Sequence, residues 1–155
     1  MNTKEIEDTV DKHAQKYLAS CAPSLAEMLL KVRKSVGSDY SAEQDRDQNT
    51  NIGLGNIKNK TIAGQTFRHV QDTPSAEPFA KRIDDLLAAD KPVGIFLQNP
   101  DGFHGFVIAG KENGNYVLFS KHSELGNGEG KLTLRQEMTE AELNAVADRD
   151  AIFLE

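Results

Sequence analysis

Cys21 is the only cysteine of the chain, and His104 and Gln15 are the residues whose types and positions could turn it into a nucleophile. Acyl transfer through a thiol needs three things. The sulfur must reach the thiolate form, an imidazole must stabilise it and later protonate the leaving group, and a donor must hold the developing oxyanion. Cys21 stands where a helical pattern begins. Ser20 is a candidate N-cap, and Pro23 fits a first turn whose N–H groups have no intrahelical partner. A thiol there feels the positive end of the helix dipole, which favours the thiolate. Gln15 lies six residues upstream, so its amide and the backbone N–H of Cys21 could form an oxyanion hole. His104 opens an apolar strand directly after a turn, where a strand end would hold the ring rigidly. Taken singly, each has an ordinary reading: a small buried hydrophobe, a solvated amide, a strand histidine. Their order along one chain favours the chemical reading.

The elements that must position these residues follow from periodicity. Thr3 as N-cap, with Ile6, Val10 and Ala14 four apart, predicts a first helix ending near Tyr17 or Leu18. Leu25, Met28, Leu29 and Val32 give the nucleophile helix a buried face, and that helix is expected to run to about Ser35 with Gly37 as its stop. From about residue 38 to 60, Asp, Asn, Gln, Ser and Gly predominate, which reads as a long polar loop with at most a short helix. Ile62 to Val70 is weakly strand-like. Asp72-Thr73-Pro74-Ser75 signals a helix entry, and Phe79, Ile83, Leu86 and Leu87 form its stripe through Ala89.

Thereafter the chain reads as β-structure. Val93 to Leu97 and Phe103 to Gly110 are apolar runs around the turn Asn99-Pro100-Asp101-Gly102, and Asn113-Gly114 is a hairpin signal ahead of Tyr116 to Ser120. Lys131 to Leu134 is a further strand. Thr139 and Glu142 make a capping-box pattern, and Ala151 to Leu154 closes the sheet. Helices first and an antiparallel sheet second is the α+β order. At 155 residues, 38% hydrophobic and 27% charged, the chain is expected to fold as one domain spanning 1–155.

Composition also excludes function classes. A net charge of −6 without a basic run argues against nucleic acid as a partner. One cysteine excludes an intrachain disulfide and a zinc site built on several cysteines. Asp45, Asp47, Asn49, Asn51 and Asn56 faintly suggest calcium, but the EF-hand spacing and its closing Glu are missing, so no metal and no cofactor are expected. Met1 to Asp11 has no apolar core, which predicts no ordinary signal peptide. No apolar run approaches the roughly 20 residues of a membrane span. The expectation is a monomer in the cytoplasm, or one exported by a machine that needs no signal peptide, with a protein or peptide as its substrate.

The run Cys21-Ala22-Pro23-Ser24-Leu25-Ala26-Glu27-Met28, with Gln15 ahead of it, Lys91-Pro92-Val93-Gly94-Ile95 opening one strand and His104-Gly105-Phe106-Val107-Ile108-Ala109-Gly110 the next, resembles the papain-like cysteine peptidases. It is most similar to the compact bacterial peptidase domains of the bacteriocin-leader-processing type, whose nucleophile motif reads roughly Cys-Gly-Pro-Ala-Ser-Leu-Ala-Met. The resemblance spans about residues 13 to 122. It implies a papain-like fold, with the nucleophile helix packed on a C-terminal antiparallel sheet. It also implies a peptidase with Cys21 as nucleophile, His104 as base and Gln15 as oxyanion donor. Two departures stand out. Ala22 replaces the usual Gly, and the place of the residue that orients the histidine falls near Ser120, where an Asn or Asp is the rule. Asn115, His122 and Glu124 are nearby substitutes, and a bare Cys–His dyad is a further arrangement. The same chemistry deamidates glutamine side chains, as an exported bacterial effector would. An inactive domain of this fold would bind peptides in the same cleft.

Overall fold

The computed structural model of the chain describes residues 2–17, 20–46, 57, 59–99, 102–122, 132–146 and 151–155. Helix α1 (Thr3–Asp11) is capped by Asn2, whose side-chain oxygen accepts from the Glu5 N–H at 2.8 Å, so the cap lies one residue before Thr3. The helix ends at Asp11 rather than near Tyr17. Its last turn tightens through the His13 N–H onto the Val10 carbonyl, and the His13 side chain then turns into the interior. Helix α2 (Cys21–Val32) begins where the sequence predicts. It stops before Lys34, which takes a left-handed φ of 63°, so Gly37 is not needed as a terminator. Helix α3 (Ala42–Arg46) is the short helix in the polar loop. Asp47, Asn49, Asn51 and Asn56 lie outside the described residues.

After strands β1 (Thr61–Ile62) and β2 (Gln65–His69), a 3-10 turn over Val70–Asp72 precedes α4 (Phe79–Ala88). The helix entry at Asp72 is thus displaced to Pro78, whose fixed φ suits the residue before a helix. Strands β3 (Val93–Asn99), β4 (Gly102–Glu112), β5 (Asn115–His122) and β6 (Leu132–Met138) form a meander. Asn113 and Gly114 both take positive φ, 53° and 82°, the conformation the Asn-Gly signal anticipates. Helix α5 (Glu140–Asn144) carries the reciprocal Thr139–Glu142 capping box, and β7 (Ile152–Leu154) ends the chain. Among the described residues the strands form one antiparallel sheet of order β1-β2-β7-β3-β4-β5-β6, with β7 inserted between β2 and β3.

The chain is α+β, but the sheet is covered on both faces. One face packs α1 and α2 through Ile6, Val10, Leu25, Leu29, Val107, Val117 and Phe119. The other packs α4 and α5 through Ile83, Ile95, Phe106, Ile108, Leu118 and Leu143. Burial on both sides is why β3 to β5 read as continuous apolar runs instead of alternating ones. The Tyr116 hydroxyl, donating to Asp84 at 2.6 Å, ties α4 to the sheet. No helix among the described residues is long and apolar enough to cross a membrane.

Helix α2 comes close to the sheet at Leu25. A Cβ on Gly94 would sit 2.8 Å from a terminal methyl of Leu25, and one on Gly105 would sit 2.9 Å from the Leu25 Cβ itself. Two glycines thus form a notch in which α2 seats its first full turn. A methyl at Gly94 meets the mobile end of the leucine, whereas one at Gly105 meets its root. Gly105→Ala is therefore expected to lower stability by about 1–3 kcal/mol, and Gly94→Ala by less. Urea midpoints of the two variants check the order, and equal midpoints would remove the notch from this account.

Candidate active site

The notch sets where the thiol lies. At the C-terminal end of α2, Arg33 donates to the Leu154 carbonyl at 3.2 Å and to Gln65 Oε1 at 2.7 Å, which anchors that end over β2 and β7. Leu25 sits over Gly94 and Gly105. Cys21 is one turn beyond, about 6 Å further along the axis, or about two residues of strand. His104 stands near the start of β4, opposite Leu97 of β3, and Cys21 is the first residue of α2. They do not start from the same face. Alternation along β4 turns Gly105 toward α2, and His104 toward the α4 side, where its buried ring meets Phe106 edge-on with centroids 6.5 Å apart.

Gln15 is brought to the sulfur directly. Its Nε2 donates to the Tyr17 carbonyl at 3.0 Å and lies 3.6 Å from Cys21 Sγ. Ser20 precedes the helix as expected, but its side chain makes no cap hydrogen bond. Its oxygen instead accepts the Tyr17 N–H at 3.3 Å, and the hydroxyl Oγ lies 2.9 Å from both the Tyr17 carbonyl oxygen and Gln44 Oε1, either of which can take its proton. The electrostatics of the thiol reverse the helix-dipole expectation. Burial pushes the Cys21 pKa up, while the Gln15 amide and the Cys21 backbone N–H pull it down without winning. The two groups proposed for the oxyanion hole are therefore the ones that favour negative charge at the sulfur.

The third position is occupied differently from the expectation. Ser120 is buried on β5, and its hydroxyl donates to the Gly105 carbonyl at 2.6 Å. That proton braces the backbone beside His104, leaving only the oxygen's lone pairs to accept from a ring. Asn115 pairs with Glu112 at the opposite end of β5, too far along the strand to orient His104. His122 contributes backbone pairing to Leu132, and Glu124 lies outside the described residues.

Sequence reasoning missed the polar groups buried along α2. Lys31 Nζ lies 2.8 Å from His13 Nδ1, and His13 Nε2 lies 2.8 Å from Ser24 Oγ. An ammonium only donates, so Nδ1 accepts and Nε2 carries the proton. Burial, aided by Lys31 and Lys121, pushes the His13 pKa down to about 3. Glu27 is fully buried, and burial pushes its carboxyl up to about 7 against the hydrogen bonds it accepts from Gln44 and Glu43. Glu27 and Lys31 interrupt a helix that is otherwise apolar almost all round, the pattern of a helix buried on every side.

Two measurements follow. Alkylation of Cys21 by iodoacetamide is expected to accelerate only above the ordinary thiol range, and Gln15→Met to move that rise to still higher pH. An unmoved profile in the variant would separate Gln15 from the sulfur. The second concerns stability against pH. The folded state withholds a proton from His13 between pH 6.5 and about 3, so this group loses stability as pH falls, by about 1.4 kcal/mol per unit. Glu27 holds an extra proton between 4.5 and about 7, so its contribution grows as pH falls. The two cancel between 4.5 and 6.5. Glu27→Gln should expose the histidine slope, a denaturant midpoint falling steadily across that window, where the parent chain is flat. A variant as flat as the parent contradicts the opposed titrations.

No family model matches this chain, and no curated protein and no solved structure matches it either.

Proposed function

We propose that this chain is a papain-like cysteine hydrolase acting on amide bonds of polypeptides. The observation that carries the reading is the Gln15 amide 3.6 Å from Cys21 Sγ at the first residue of a buried helix. In this reading the thiolate attacks the carbonyl carbon. The oxyanion takes hydrogen bonds from Gln15 Nε2 and the Cys21 N–H, donors of the kind that act where charge develops. His104 removes the thiol proton and returns it to the departing amine, and water resolves the thioester. This role requires the His104 ring to leave the α4 side of β4, where it packs against Phe106, because α2 and the thiol stand on the other face. Ser120 would steady that strand through Gly105. When the amide belongs to a glutamine side chain, the leaving group is ammonia and the outcome is deamidation.

A second reading, a peptide-binding domain without turnover, is favoured by two observations. The Ser120 proton is committed to the Gly105 carbonyl, and burial holds the resting thiol neutral. Incubation with an unfolded protein substrate separates the readings. New N-termini found by mass spectrometry, lost in Cys21→Ala and reduced about 10²–10³-fold in Gln15→Ala, are expected of the peptidase. Ammonia without new N-termini identifies the deamidase. Equal product from Cys21→Ala and the parent chain rules out both.

A further inference from the structure

The segment that carries Gln15 belongs to neither flanking helix, since α1 ends at Asp11 and α2 starts at Cys21. Its conformation comes from elsewhere: Gln15 takes part in a β-bridge, and the side chain of Gln44 holds the backbone on both sides of it. This fully buried side chain donates from Nε2 to the Ala14 carbonyl at 2.9 Å and accepts the Lys16 N–H on Oε1 at 2.8 Å. One amide therefore holds the two peptide groups on either side of Gln15, as a neighbouring strand would. Oε1 also lies 2.9 Å from the Ser20 hydroxyl, on the residue preceding the thiol.

Gln44 is itself held. Its second Nε2 proton goes to Glu27 Oε1 at 2.6 Å, and Glu27 Oε2 accepts the backbone N–H groups of Glu43 and Gln44 at 2.9 and 3.1 Å. A carboxylate of α2 thus takes the place of an N-terminal cap for α3. Asp45 adds an outer grip on Lys16 Nζ and the Tyr17 hydroxyl, both at 2.8 Å. The contacts close a circuit: α2 holds α3 through Glu27, α3 holds residues 14–17 through Gln44, and that segment returns an amide to the first residue of α2.

We infer that Gln44 is a positioning residue for the thiol, acting through Gln15, whose amide it aims at Cys21. Its consequence for catalysis rests on the hydrolase reading, but its aim is measurable on the sulfur alone. The probe is iodoacetamide, with Cys21 alkylation followed against pH in Gln44→Met and Gln44→Asn, each with Gln15 intact and with Gln15→Met. Gln44→Met is expected to slow alkylation at pH 8 by about tenfold, as for one pKa unit, and to add nothing once Gln15 is gone. Gln44→Asn keeps a buried amide one methylene short of its partners. It should give the same coupling at smaller size, and it carries the test if the methionine variant does not fold. A role confined to stability would lower the urea midpoint and leave the alkylation profile in place. Profiles at or below the parent pH, or equal slowing with and without Gln15, overturn the assignment. Peptide hydrolysis is read separately: a parent chain that turns over nothing yet shows the Gln44–Gln15 coupling defeats the hydrolase and leaves the positioning role standing.

Discussion

Leu25 lies over the sheet where any side chain beneath it would have to displace it. Glycine on adjacent strands, Gly94 and Gly105, lets the root of the leucine come down to the backbone, and the rest of α2 follows that approach. Packed interiors do not deform continuously, so a helix seated this closely has little freedom to slide or roll. The level of Cys21 relative to β4 is thus a consequence of two missing methyl groups one turn away. The same strand alternation that makes Gly105 a floor for α2 turns its neighbour His104 to the other face. Close packing of the helix and orientation of the imidazole are therefore linked by one peptide unit, and Ser120 braces the next one from β5 through the Gly105 carbonyl.

Burial of α2 on all sides has an electrostatic consequence. Glu27 and Lys31 cannot reach bulk water as they would on a surface helix, and each must be satisfied internally. Glu27 does so by receiving the start of α3, and Lys31 by donating to a histidine that burial keeps neutral. Such groups are poor sources of net stability, because removing charge from water costs as much as the pairing returns. What they supply here is geometry. They convert a polar loop segment and a five-residue helix, neither of which would hold a shape alone, into a fixed frame around the thiol.

The thiol sits between opposed influences. Removal from water disfavours its anion, while an amide and its own backbone N–H favour it. That balance keeps the resting sulfur protonated, with donors already in place for negative charge when it appears. An arrangement of this kind gains most from donors that need no reorganisation at the moment of reaction. It also explains why a loop conformation, rather than a charged partner, is the quantity the surrounding residues control.

Local patterns along the chain determined a good deal. The start of α2, the stripe of α4, the Asn-Gly hairpin and the Thr139 capping box are set by near neighbours, and each forms as read. The order of Gln15, Cys21 and His104 was also visible as types and spacing. The end of α1 was not, because its periodicity continues past Asp11, while the tertiary bonds of His13 and Gln44 win over helical propensity there. Nor could composition distinguish a solvated Glu27 or Gln44 from a buried one, since both are ordinary surface residues until a second element covers them. The pKa of Cys21 runs against the helix-dipole expectation for a related reason: a helix start is a local property, whereas desolvation depends on everything packed around it. The chain's own order therefore decided where α2 begins, where the hairpin turns and where α5 is capped. Only the closing of α1, α2 and α3 over the sheet decided which residues meet, because hydrogen bonds between residues 11 to 30 positions apart leave no periodic trace.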